Sequence, residues 1–326
     1  MPRVDVVAVV WAPHEARTAS FADWLKAPLY NIHYLGFKRL FFAPFKYPLQ
    51  WMKTWYEMMR IHPRYIYVTD SPPVAGLCVY IYCLFTRTRY IMDTHTPNLY
   101  GDKWGWTAPL QRFLARRAVM NVVDQEAVKQ VFESWNAPVI VLENPPKNIP
   151  QEWLGSPDPS GPTTLTYVGT FGDDEPIEVL LEAAQQLPDI QFYILGDTGL
   201  AEREWIDNAP KNVTYPGYLL KEEYWGLLSR SNAIIALTSH TFSLSGAAQD
   251  GIHIQKPVII SNQPPLRLHF TKGAVFVDHT CESMVKGIQT LIENEERLNQ
   301  EIAELYEETS ARWKQNFQAL ENLIQS

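Results

Sequence analysis

Cysteine is scarce: Cys78, Cys83 and Cys281 are the three in the chain, an odd number with no metal-type pairing. Two of them sit in one apolar run, where a free thiol behaves as a small hydrophobe, so a reduced, cytoplasmic setting is expected. No run is long enough to cross a bilayer. The longest, Val74–Phe85, holds about 12 residues against the roughly 20 a span requires. The opening MPRVDVVAVVWAP mixes charge with β-branched residues and reads as a first strand, not a secretory leader. Missing too are G-x-G-x-x-G after that strand, G-x-x-x-x-G-K-[ST] and H-E-x-x-H, which removes the main support for dinucleotide dehydrogenases, P-loop NTPases and zincins. No internal repeat or low-complexity tract is present. Basic residues are short in the second half, where 11 Lys and Arg face 25 Asp and Glu, against 17 and 11 in residues 1–150. With a net charge of −8, nucleic acid is not an expected partner.

An apolar fraction of 46% over 326 residues suffices for about two packed domains. Val4–Val10, Tyr65–Thr69 and Tyr90–Met92 are near-continuous apolar runs, as strands buried on both faces require. A helix with one apolar face is expected over Pro109–Met120, then a strand at Asn121–Val123, a helix over Glu126–Trp135 and a strand at Val139–Leu142. Residues 144–162 carry Pro145, Pro146, Pro150, Pro157, Pro159 and Pro162 and form the clearest linker. Beyond it, TTLTYVGTFGDDEPIEVLLEAAQQLPDIQFYILGD reads as a βαβ unit, its helix marked by Ile177, Leu180, Leu181 and Ala184. Further strands are expected near 191–195, 213–215, 233–237, 257–260 and 274–277, and a helical tail whose packing residues include Leu298, Ile302, Leu305, Trp313 and Phe317. Alternation of strand and helix throughout predicts an α/β chain of doubly wound sheets. The divisions expected are 1–145, a linker at 146–162, 163–305, and a final helix at 306–326 returning to the first domain.

Several residues invite chemistry. The Ser245-Gly246-Ala247 turn opens a helix whose free N–H groups suit an anion, although Ser245 also serves as an ordinary cap. His95, with Asp93, follows the Tyr90–Met92 strand at the end where open α/β sheets bind ligands. Asp173-Asp174-Glu175 has the look of a cation site, but acids ahead of a helix complement its dipole, and no metal is expected. Between Lys26 and Tyr67, seven basic residues stand against Glu57 alone, with twelve aromatics interleaved. That composition suits an anionic membrane surface, with Lys38, Arg39, Phe41, Phe42, Lys46, Trp51 and Lys53 as contacts; an aromatic core with snorkelling cations gives the same pattern.

The βαβ unit at 163–197, FESWNAPVIVLENPP at 132–146 and GAAQDGIHIQKPVIISN at 246–262 resemble nucleotide-sugar glycosyltransferases, in particular the retaining glycosyltransferase family 4. The resemblance implies a GT-B fold, two Rossmann-like domains facing a central cleft. It implies sugar transfer from a nucleoside-diphosphate sugar to a saccharide or lipid-linked acceptor in polysaccharide or glycoconjugate assembly, with retention, no cofactor and no metal. His95 would contact the donor sugar, and Asp250, six residues before Lys256-Pro257, would hold the ribose. The family's other acid falls at Phe242, and its basic diphosphate pair is replaced by Gly169-Thr170-Phe171, leaving Arg267 and Lys272 as the nearest cations. His14 and Arg17 fall on the acceptor-side loop. The departures leave two other readings open, a non-catalytic partner subunit and a sugar-nucleotide epimerase on the same fold.

Overall fold

The computed structural model describes residues 5–35, 42–94, 99, 104–240 and 244–325. The chain divides into two compact units, Met1–Pro145 with Ala311–Ser326, and Pro146–Ser310.

The first unit is a six-stranded parallel sheet in the order β2-β1-β3-β4-β5-β6, built from β1 (Val6–Val10), β2 (Leu29–Asn31), β3 (Tyr65–Thr69), β4 (Arg89–Thr94), β5 (Met120–Val123) and β6 (Val139–Val141). Each strand read from an apolar run is present, because β1 and β3 are buried along their whole length and a predominantly apolar, β-branched and aromatic run suits that position. The short, half-buried β2 has no such run behind it. Helices α1 (Ala16–Trp24), α2 (Ala43–Ile61), α3 (Pro73–Phe85), α4 (Ala108–Ala115) and α5 (Glu126–Ser134) connect the strands. Helix α4 stops short of the expected Met120, since the Val119 N–H already bonds the Tyr90 carbonyl at 3.0 Å as the chain enters β5 beside β4. Helix α2 ends where His62 turns left-handed (φ 53°) and returns its N–H to Met58.

The second unit is also six-stranded and parallel, in the order β12-β11-β10-β7-β8-β9. Its strands are β7 (Thr164–Val168), β8 (Gln191–Leu195), β9 (Val213–Gly217), β10 (Ala233–Ala236), β11 (Val258–Ser261) and β12 (Ala274–Val277). Its helices are α6 (Ile177–Gln186), α7 (Arg203–Asp207), α8 (Lys221–Arg230), α9 (Gly246–His253), α10 (Pro264–His269) and α11 (Cys281–Glu293). In both units the strand order reverses beside the first strand, between β1 and β3 and between β7 and β10, and such reversals leave a crevice at the carboxyl ends of the strands. The last helix, α12 (Glu295–Gln325), buries Leu298, Ile302 and Leu305 in the core of the second unit. Its final turns bury Trp313, Phe317, Leu320 and Ile324 among Phe21, Tyr67 and Ile91 of the first.

Candidate functional site

At the reversal in the second unit, β7 runs out into Gly169-Thr170-Phe171, and Phe171 takes a left-handed turn (φ 55°). That turn aims successive N–H groups at one point, an arrangement that binds anions. Here the anion is the chain's own. The Glu175 carboxylate accepts the N–H of Thr170 (2.9 and 3.0 Å) and of Phe171 (2.9 Å), and the hydroxyls of Thr170 (3.0 Å) and Tyr167 (3.1 Å). Burial, then the charge of Glu175, holds the Tyr167 phenol well above its ordinary pKa, so it stays a donor. Gly169 is required by this closure: a Cβ there would run into Glu175 Oε2 and lie 2.5 Å from Tyr167 Cε1.

Asp174 ties the same loop to the next strand, accepting the Thr238 hydroxyl at 2.6 Å. The Thr238 N–H donates to Ser261 Oγ (2.9 Å), which lies 2.8 Å from His279 Nε2. A polar strip therefore runs along the carboxyl ends of β7, β10 and β11. Burial lowers the pKa of His279, with Asp278 opposing, so its ring tends to neutral. Among the described residues no group of His, Cys, Asp and Glu is arranged to hold a metal ion. In place of the expected role at a helix dipole, Asp174 and Glu175 serve as loop ties.

Helix α9 starts on the same edge. Ser245 caps it, accepting the Ala248 N–H at 3.5 Å, and among the described residues the N–H groups of Gly246 and Ala247 have no partner. Among the described residues nothing lies within 4 Å of where a Cβ at Gly246 would stand. One turn along, Asp250 is 5% exposed and points inward. Its carboxylate takes the Lys147 ammonium on Oδ1 and the Tyr224 hydroxyl on Oδ2, the latter at 2.7 Å. Burial and the Asp250 charge keep the Tyr224 phenol well above its ordinary pKa. The Lys147 ammonium also lies 5.0 Å from the Trp225 ring centroid.

The two expected cations fall elsewhere. Arg267 bonds Asn262 Oδ1 at 2.7 Å and covers the Phe276 ring of β12, three strands from β7. Lys272 precedes β12 and so lies at the amino edge of the sheet, opposite the start of α9, with its ammonium held by Glu304 (3.0 Å) and Glu308 (2.7 Å). The connection from α10 to β12 must pass that edge in a parallel sheet, which removes Lys272 from the site.

In the first unit, the α1 start is closed by Glu15, which accepts the N–H of Arg17 (3.1 Å) and Thr18 (2.5 Å). Arg17 is not on an acceptor-side surface: it is 8% exposed, bonds Asp93 Oδ1 at 3.1 Å and donates to the Leu142 carbonyl at 2.6 Å. Burial opposes its charge, but Asp93, helped by Tyr67 and Asp124, more than restores it. Asp93 lies within β4 at 0% exposure, and this fixed pairing removes it as a catalytic group. His14 is exposed just past β1; His95 lies outside the described residues. Of the expected membrane contacts, Lys38, Arg39 and Phe41 also lie outside them. Lys46 is buried at 5%, Trp51 packs against the core, Phe42 is half-buried, and Lys53 bonds Glu57 at 2.5 Å. The snorkelling-core explanation covers Lys46 and Trp51.

Glu175, Thr238, Lys147 and Tyr224 were not among the expected site residues. Glu175 was legible as part of an acidic turn; Lys147 follows a Pro-Pro pair in the linker; Tyr224 carries no signal in its own helix.

Residues 155–312 match the family model for Glycosyl transferases group 1. Among solved structures, sucrose-phosphate synthase from Thermosynechococcus elongatus superposes with a TM-score of 0.74 at 13% identity, covering 98% of each chain. HepE of Anabaena, in complex with UDP and glucose, gives 0.72 at 12% identity over 98% of this chain and 100% of that one. A co-structure of S. aureus MnaA with UDP gives 0.65 at 12% identity, over 98% of each. At such identities the likeness is one of fold. No curated protein matches the sequence.

Proposed function

From a chain that has the GT-B fold and carries a group 1 glycosyltransferase domain over residues 155–312, we propose a glycosyltransferase whose donor diphosphate binds the start of α9. The observation that carries this reading is a contrast among three clusters of backbone donors. Glu15 fills one and Glu175 fills another, while Gly246 and Ala247 remain open, among the described residues, on a carboxyl edge. Asp250 accepts one bond on each oxygen, and each oxygen has a second lone pair for a ribose hydroxyl.

In the reaction the bond between the sugar's anomeric carbon and the diphosphate breaks and one to an acceptor hydroxyl forms. The hydroxyl proton leaves with the departing phosphate. The α9 N–H groups and dipole stabilise the charge that develops on the diphosphate. For His95 the proposal rests on the family resemblance: contact with the transferred sugar. Retention, and a saccharide or lipid-linked acceptor in glycoconjugate assembly, belong to the same reading. Similar structures that hold UDP or UDP-glucose make uridine nucleotides the first to test.

Gly246→Pro is the discriminating variant. Proline is well tolerated at the first helical position, and Ser245 (φ −61°, ψ 125°) already has the backbone that a residue before proline prefers. The substitution deletes one N–H and leaves the helix. UDP should raise the melting temperature of the wild type, with about 2.7 kcal/mol gained at 100 times Kd. Gly246→Pro should bind about 10- to 100-fold more weakly, as loss of a charge-assisted bond of about 1.5–3 kcal/mol implies. Unchanged affinity would sink the placement; no response to any nucleoside diphosphate or its sugars would sink the donor class.

A further inference from the structure

Helix α2 carries a feature that sugar transfer does not use. Phe45, Leu49, Met52, Tyr56 and Met59 are spaced four, three, four and three residues apart, the period of a single helical face. All five are exposed, between 39% for Leu49 and 64% for Phe45. The stripe runs for about 21 Å along the helix. Its opposite face, with Gln50, Thr54 and Met58, is buried.

The flanks of the stripe differ. On one side Trp55 meets Phe85 at 6.3 Å, and Phe85 is itself 77% exposed at the end of α3. On the other side stand Arg60 and Lys53. The acid of the helix, Glu57, is 6% exposed and bonded to Lys53. Over residues 26–92, nine basic residues (Lys26, Lys38, Arg39, Lys46, Lys53, Arg60, Arg64, Arg87, Arg89) accompany two acids, Glu57 and Asp70, and both acids are buried.

We propose that this face of α2 docks on an anionic lipid membrane surface. An apolar stripe beside cations, with no exposed carboxylate on the helix, matches acyl chains below anionic headgroups. A second copy of the chain fits less well, because self-pairing would set Arg60 against a face that offers it no acid. The helix lies in the interface rather than crossing it: among the described residues no helix is long and apolar enough to span a bilayer. The inference is independent of the nucleotide reading, since it concerns binding and not transfer.

The test is co-sedimentation of the full chain with vesicles of equimolar phosphatidylglycerol and phosphatidylcholine, against vesicles of phosphatidylcholine alone. The wild type should bind the anionic vesicles more tightly, and salt should weaken that binding. The double variant Met52→Glu, Tyr56→Glu replaces exposed side chains, so its melting should be unchanged, and its vesicle affinity should fall on the order of tenfold or more. Arg60→Gln should cost about fivefold, the equivalent of about 1 kcal/mol per basic residue. Equal binding by the wild type and the double variant would overturn the proposal, as would failure to bind either vesicle. A concentration-dependent dimer that binds no vesicle and is broken by the double variant would assign the face to a second copy instead.

Discussion

The two sheets share a strand count, a parallel sense and a reversal beside their first strand, yet their carboxyl edges are finished differently. In the first unit the described residues of the edge pair with one another. Arg17 and Asp93 form a buried ion pair, Thr18 and Thr69 hydroxyls meet at 2.5 Å, and Glu15 closes the start of α1. In the second unit Thr238 and Ser261 are buried, but Asp174, Glu175 and His279 are half-buried. Asp174 and Glu175 hold a loop at the rim, the buried Ser261 meets the half-buried His279, and among the described residues the first N–H groups of α9 have no partner. Topology thus supplies two equivalent crevices, and local side-chain chemistry finishes their described residues differently. The family match covers the second unit, in agreement with that contrast.

Breaking the pairing at the first edge should have the largest effect. Arg17→Met leaves Asp93 charged and buried, and should cost about 3–5 kcal/mol in urea denaturation. Adding Asp93→Leu should recover much of that, because both partners are then removed together; a single-variant loss below about 1 kcal/mol would mean the edge is not held by this pair. Crowding the second edge should cost less. Gly169→Ala forces its methyl against Tyr167 and Glu175, and should lose about 1–3 kcal/mol, with Glu175→Ala in the same chain relieving part of the loss. Calorimetry of the two variants gives the difference.

The smallest effect is in pH. The folded-state pKa of His279 lies below the unfolded value of about 6.5, so neither state carries its charge above that pH. As pH falls through about 6.5 the unfolded chain takes up the proton first, and the folded state loses stability. The wild type should therefore lose more stability on acidification than His279→Asn, and identical slopes would refute the assignment.

The frame was legible because it depends on composition. A strand covered on both faces is predominantly apolar, and runs such as Val6–Val10 and Tyr65–Thr69 fit that position. The start of α9 was legible for a similar reason: a Ser-Gly turn before a helix is a local pattern. Pairings were not. Arg17 and Asp93 are 76 residues apart, and Lys147 reaches Asp250 across 103. No periodicity encodes such contacts, so two buried ties, Arg17 and Asp93, looked like available site residues. Lys46 misled in the same way: a basic residue in a basic segment reads as exposed until its helix face is known.

Helix α12 has a consequence for synthesis. The first unit takes Trp313, Phe317, Leu320 and Ile324 from the last turns of the chain, where Trp313 stacks on Phe317 at 4.8 Å and Trp24 meets both rings. All of Pro146–Ser310 is translated between the two parts of that unit. At roughly 5–20 residues per second the delay is about ten to thirty seconds. Through that interval the nascent first unit leaves the apolar surface around Phe21 and Tyr67 uncovered, and the second unit, whose strands β7 to β12 are contiguous, is the one able to finish first on the ribosome.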